Sequence, residues 1–230
     1  MPVNYVPFRG EARPSLRNEQ RSAFRLASLA LCCLAVSACG VLPSFGTKSE
    51  RREQIYTLDP AISVVPVSTE QCTSLALGDA LAAPGYRTSR MAYSTAPFEI
   101  NYFAYARWAD SVARLLRRPL QRAFEAHGGF AEVLAAPALA PTDFRAELGD
   151  VSLVQRFESR QSAQSIVELT ASIRVFSVNP NQVLASKLVQ LNLPAPGDPA
   201  SGVNVANDLV SQLINEAVSL TYLACTSAKP

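Results

Sequence analysis

Between Ser165 and Phe176 the chain alternates with a period of two. Val167, Leu169, Ala171, Ile173 and Val175 are apolar, and Glu168, Thr170, Ser172 and Arg174 stand between them. Successive side chains of a strand point to opposite faces, so this segment predicts a strand with one dry face and one wet face. Such a strand requires a sheet that is covered on one side only. The rest of the chain must supply its neighbours and its cover.

The neighbours are legible. Gln182 to Leu193 alternates in the same way, behind an Asn179-Pro180-Asn181 turn. Asp143 to Phe157 reads as a strand pair or as one long bulged strand. These segments are consecutive, so antiparallel hairpins are expected there. Further short strands are expected at Gln54–Leu58, Cys72–Leu77, the aromatic-rich Phe98–Tyr105, and Phe130–Ala135.

The cover is helical. From Trp108 to His127, Val112, Leu115, Leu116, Leu120, Ala123 and Phe124 recur every three or four residues, while Arg114, Arg117, Arg118 and Arg122 fall mostly opposite. Asp110 is placed to cap the start and Gly128-Gly129 to stop the end, with a kink or break expected at Pro119. A Pro/Gly loop over Pro194–Gly202 precedes a second amphipathic helix, Val203 to Cys225, with Ala206, Leu209, Leu213, Ala217, Leu220 and Ala224 on one side. The expected fold class is α+β: a mostly antiparallel sheet with two long amphipathic helices packed on one face.

The N-terminus follows different rules. Arg21 and Arg25 precede an apolar run from Leu26 to Ala38, too short for the roughly 20 residues of a spanning helix. It ends in Leu-Ala-Val-Ser-Ala-Cys-Gly, with an aliphatic residue three positions before Cys39 and two small residues between. This pattern resembles the lipobox at which bacterial lipoprotein precursors are acylated and cleaved. It implies a signal peptide at 1–38, a lipid on Cys39, a tether over 39–53 and a folded domain over 54–226. The tether is small, polar and charged, with too little apolar surface to pack. Gly40 in place of an aspartate favours the outer membrane over retention at the inner one.

Discarding the leader changes the charge balance. It carries Arg9, Arg13, Arg17, Arg21 and Arg25 against Glu11 and Glu19, leaving 16 basic and 17 acidic residues. No cluster of basic residues of the kind that holds nucleic acid remains. Of the five cysteines, Cys32 and Cys33 leave with the leader and Cys39 is acylated. Cys72 and Cys225 then either pair as one disulfide or stay as two buried thiols.

Signals for chemistry are sparse. The single histidine, His127, sits beside Gly128-Gly129, where capping and interaction with the helix dipole explain it. It has no cysteine or carboxylate cluster nearby, so no metal site is expected. The sequence contains no G-x-S-x-G, no P-loop and no G-x-G-x-x-G, so neither an enzyme nor a nucleotide or other cofactor is expected. A hydrolase would have to be built around His127, with a Ser or Asp in reach inside a cleft.

One stretch stands apart. Ser89-Arg90-Met91-Ala92-Tyr93 is followed by Phe98-Glu99-Ile100-Asn101-Tyr102-Phe103-Ala104-Tyr105 and then Arg107-Trp108-Ala109-Asp110, which opens a helix. Farther on come Asp143-Phe144-Arg145, Arg156-Phe157-Glu158, the strand from Ile166 to Val175 and the C-terminal helix. In order and spacing this resembles the ABC-type transport auxiliary lipoproteins, over about Ile55 to Thr221. That family is associated with MCE-domain lipid transport systems, including the paraquat-inducible group.

The resemblance implies a lipid-anchored subunit on the periplasmic face of the outer membrane of a Gram-negative bacterium. Its partners would be an MCE-domain protein and an ABC permease and ATPase, with phospholipid as a possible ligand and other copies of itself as a homo-oligomer. The alternative is an envelope lipoprotein that scaffolds complexes without handling lipid. Ser89, Arg90, Met91, Tyr93, Arg107 and Trp108 form the candidate interface or fold motif.

Overall fold

A computed structural model describes residues 52–69, 71–135 and 140–228. Cys39, the leader and all but the last two residues of the 39–53 tether lie outside the described residues. In chain order the elements are β1 (Gln54–Tyr56), β2 (Cys72–Leu77), β3 (Arg90–Ser94), β4 (Asn101–Trp108), α1 (Val112–Leu115), α2 (Arg117–His127), β5 (Phe130–Ala135), β6 (Phe144–Arg156), β7 (Gln164–Ser177), β8 (Gln182–Pro196) and α3 (Pro199–Ser227).

The fold is α+β, with the one-sided sheet that the alternation in β7 requires. The eight strands form one sheet, and its long antiparallel ladders, β6–β7 and β7–β8, hold most of the paired residues. Ala171 stands opposite Val189 and Leu169 opposite Leu191, so the dry faces of β7 and β8 coincide. Segment Asp143–Phe157 is one long strand, with a register shift between Gly149 and Ser152.

Strand β6 organises the rest. One edge carries β7. The other carries β2 along its first part and β3 along its last part, both parallel to it. Strands β1–β4 and β2–β5 are also parallel pairs, and β3–β4 is antiparallel. The N-terminal half is therefore more mixed than alternation alone suggests.

Both helical segments share one core with this sheet. Leu209, Leu213, Ile214, Ala217 and Val218 of α3 are buried in the same cluster as Leu120, Ala123 and Phe124 of α2 and Val167, Leu169, Ala171 and Ile173 of β7. The expected helix over Trp108–His127 is shorter than its periodicity. Trp108 ends β4, α1 is a single turn, and α2 restarts at Arg117. The break falls before Pro119, not at it. Pro119 sits in the first turn of α2, where its missing N–H would have had no partner in the helix.

Ser111, not Asp110, holds the cap position of α1. Asp110 instead accepts from the Ser111 N–H at 2.7 Å and pairs with Arg114. The far end stops at Gly128 (φ 69°), a left-handed residue suited to glycine.

The expected loop over Pro194–Gly202 is mostly ordered secondary structure. Strand β8 runs on to Pro196 and α3 starts at Pro199. Prolines fit in β8 because it is an edge strand, bonded only to β7, and a missing outward N–H costs no ladder bond. Asp198 caps α3 by accepting from the Ser201 N–H at 2.9 Å, and hydrogen bonding from the Ser201 side chain, then from its backbone, holds the carboxyl below the usual carboxylate range.

Gly202 lies inside the helix. A Cβ there would stand 2.5 Å from Gln155 Oε1, so glycine lets α3 seat directly on β6. Gln155 is buried and donates to Ser165 Oγ at 2.8 Å and to the carbonyls of Pro196 and Asp198. This knot pins β6, β7, the end of β8 and the start of α3.

Candidate functional site

Strand β3 is the element that the sequence reading did not resolve. Arg90 to Ser94 is short, and its partners β4 and β6 are reached through a register shift and a parallel pairing. Once it is in place, the six motif residues converge on one hairpin. Ser89 O accepts from the Trp108 N–H at 2.7 Å. Arg90 pairs with Arg107 across the two strands.

Each motif residue takes the face that its chemistry dictates. Met91 (4 % exposed) and Trp108 (3 %) are buried in the common core, where Leu153, Val167, Gly202 and Ala206 surround a cavity of about 10 Å³ beside them. Arg90 and Arg107, each one residue earlier, point to the opposite side. Like charges directly opposed across a ladder repel. Here each guanidinium has its own partner. Arg90 lies 4.1 Å from the centroid of the Tyr102 ring, and Arg107 Nε donates to Glu53 Oε2 at 2.8 Å.

Tyr93 belongs to a half-buried aromatic group with Phe103 (4.8 Å between centroids) and Phe157 (6.1 Å). The face bearing the arginines continues as a polar surface. Tyr102 OH donates to Gly85 O at 2.7 Å, and burial raises the pKa of nearby Tyr86. Arg156 pairs with Glu168, and Arg145 and Arg174 both reach Glu147. Arginines and aromatic side chains together are the residue types that dominate binding hot spots, and this face can engage a partner without disturbing the core beneath.

The larger grooves are of another kind. One of about 530 Å³ lies between the Thr57–Asp59 segment and the helices and is lined by Arg114, Arg118, Arg122, Asp59 and Glu125. A second of about 440 Å³ lies among Asp79, Asp110, Arg114 and Arg117. Each holds an ion pair, Arg122–Asp59 in the first and Arg117–Asp79 in the second. The first also has Leu58, Leu115 and Pro119 in its wall, whereas the second is lined mainly by charged side chains.

His127 differs from its expected role. It is a buried aromatic wedge, with its ring 4.7 Å from that of Tyr222 and 6.2 Å from that of Phe130, and its Nδ1 has no hydrogen-bond partner. Burial pushes its pKa below the ordinary value of 6.5, so near neutral pH it carries no charge to set against the helix dipole. Its carbonyl accepts from the Val67 N–H, and the turn itself is made by Gly128.

Cys72, at the start of β2, and Cys225, in the last turns of α3, are joined as a disulfide with Cα atoms 6.1 Å apart. Among the described residues no group of His, Cys, Asp or Glu side chains could hold a metal ion. No helix among them is long and apolar enough to cross a membrane.

A family model described as the ABC-type transport auxiliary lipoprotein component matches residues 56–218. No curated protein matches the sequence. Among solved structures, the fold is similar to that of protein XCC0632 from Xanthomonas campestris (family model DUF330). That match has a TM-score of 0.65 and 20 % identity, and covers 74 % of this chain and 95 % of that one. A second similar structure, of an uncharacterized protein, has a TM-score of 0.51 and 15 % identity, covering 73 % and 97 %.

Proposed function

The chain belongs to the family of ABC-type transport auxiliary lipoprotein components, and on that premise we propose that it is a lipid-anchored docking subunit of an ABC/MCE-type lipid transport system. In this reading Cys39 carries the lipid and the domain stands in the periplasm, anchored at the outer membrane. Its work is binding rather than catalysis. The permease, the ATPase and the MCE-domain component are other chains, and several copies of this one assemble around them.

The observation that carries the docking role is the two-faced β3–β4 hairpin. Met91 and Trp108 lock it into the core, while Arg90 and Arg107 stand side by side on the face that the helices leave open. The groove among Asp79, Asp110, Arg114 and Arg117 supports docking, since its charged wall suits polar protein contacts. The same observation keeps the scaffold alternative in view, with complexes held together and no lipid touched.

The test is crosslinking in membranes from cells that carry the whole transport system. A photoreactive residue at Arg90 or Arg107 should capture the MCE-domain component. Charge reversal at either arginine should reduce that capture while leaving the domain folded. Capture of other envelope proteins only, with no transport component and no co-purifying phospholipid, would favour the scaffold.

A further inference from the structure

The β3–β4 connection holds the most exposed large apolar side chain among the described residues. Phe98 is 106 % exposed, and its φ of +63° is a left-handed value that a bulky residue rarely adopts. Glycine or asparagine would relieve the backbone there. This phenylalanine thus combines a strained backbone with a ring wholly in water.

The loop is built to present it. Ser94 Oγ donates to Ala96 O at 2.7 Å, and Thr95 Oγ1 donates to Glu99 Oε2 at 3.0 Å, which draws that carboxylate back towards the base. Ala96 and Pro97 beside it are exposed, and Ile100 (40 %) and Tyr105 (52 %) extend the apolar surface along β4. Behind them the Tyr93–Phe103–Phe157 group stiffens the base.

A lone exposed phenylalanine would carry no argument. The topology supplies one. Strand β1 is parallel to β4, with Gln54 level with Ala106, so β1 enters the sheet from the end where β4 begins. That is the Phe98 end. By strand rise, the hairpin tip lies about 20 Å from Gln54. The 13 residue steps from Cys39 to Arg52 can reach roughly 45 Å when extended. The tip is therefore within reach of any bilayer that holds the lipid on Cys39.

We infer that the β3–β4 hairpin tip is a second membrane contact, with Phe98 inserting at the interface of the bilayer in which the Cys39 lipid is embedded. This rests on the reading of Cys39 as the acylated residue. A phenylalanine ring gains by burial at the headgroup–acyl boundary, and a tether that already holds the domain there lets one weak contact orient it. The Arg90 and Arg107 face would then stand at a fixed angle to the membrane.

The experiment uses the mature acylated chain in vesicles of phosphatidylethanolamine and phosphatidylglycerol, with and without bromine-labelled acyl chains. Trp108 is the single native tryptophan and is buried, so the wild type sets an unquenched baseline. In Phe98→Trp, brominated vesicles should quench the added indole by roughly half and shift its emission to the blue, as for a ring at the headgroup–acyl boundary. Phe98 is fully exposed, so this variant should fold. An acylated, vesicle-bound variant whose added indole stays unquenched and water-exposed overturns the inference while leaving the anchor intact. A blue shift that needs a periplasmic partner protein, without quenching, also overturns it and assigns the tip to a protein contact. Mass spectrometry showing no acyl chain on Cys39 defeats the anchor reading and this inference with it.

Discussion

The Cys72–Cys225 bond offers the largest single perturbation of this fold. It spans 153 residues, nearly the whole described chain, and ties the first residue of β2 to the last turns of α3. In the chain-entropy account, a closed loop of that length stabilises the folded state by about 5 kcal/mol. A domain is commonly stable by only about 5–15 kcal/mol, so the bond represents a large share of the total. For a domain of this size the loss corresponds to a fall of roughly 10–20 °C in Tm.

Two routes to the loss separate the crosslink from packing. Both cysteines are buried, at 3 % and 2 % exposure, so replacing both with alanine also removes two core sulfurs. Reducing the wild type leaves the sulfurs in place and opens only the bond. Urea unfolding of the oxidised wild type, the reduced wild type and Cys72→Ala/Cys225→Ala should give midpoints in that descending order, with the first gap the largest. Equal midpoints for oxidised and reduced wild type would refute the reasoning. So would peptide mapping of the exported protein in which both thiols alkylate without reductant.

Trp108→Ala should cost about 3–5 kcal/mol in a urea melt, because its ring is buried where β4 meets the core; Arg90→Glu should leave the melt within about 1 kcal/mol, since it turns a like-charged cross-strand pair into an attractive one. Cys39→Ala should abolish acylation and leave an uncleaved precursor; a product still cut at residue 39 and still carrying lipid by mass spectrometry would defeat the anchor reading. His127 has a lowered folded pKa, so its protonation favours the unfolded chain. Its contribution should be complete above the ordinary value of 6.5 and fade as pH falls from there towards the folded pKa; His127→Gln should flatten that part of the pH profile of urea midpoints. The same variant should keep transport-linked phenotypes, such as bile-salt resistance, near wild type, and a well-folded variant that loses them would revive a catalytic role for this side chain.

Local pattern carried much of the architecture. Strands β2, β5 and β7, the α3 face and the Gly128 stop all follow from periods of two and 3.6 and from turn chemistry, which act between residues close in the chain. Asp110 shows where local signals mislead. It has the right side chain for a cap, but Ser111 takes the cap position and Asp110 accepts from the Ser111 N–H instead. The Pro194 and Pro196 pair shows the same. Their loop signal is sound on its own, and they lie in a strand only because that strand has no outer neighbour.

What alternation, helical spacing and the residues before Cys39 determine by themselves is the α+β class, the one-sided sheet and a leader distinct from the domain. What only tertiary structure decides is which distant segments share an edge. Parallel pairing of β2 and β3 with β6, and of β1 with β4, joins residues roughly 50–70 positions apart and leaves no periodic trace in any of them. The antiparallel β3–β4 pair sets Arg90 beside Arg107, the packing of the α2 end against α3 buries His127 against Tyr222 with its charge suppressed, and the β1–β4 pair aims the start of β1 towards Phe98. The physical reason is that a strand's own sequence selects its faces through burial, whereas its neighbours are selected by the free energy of closing the whole sheet over one core.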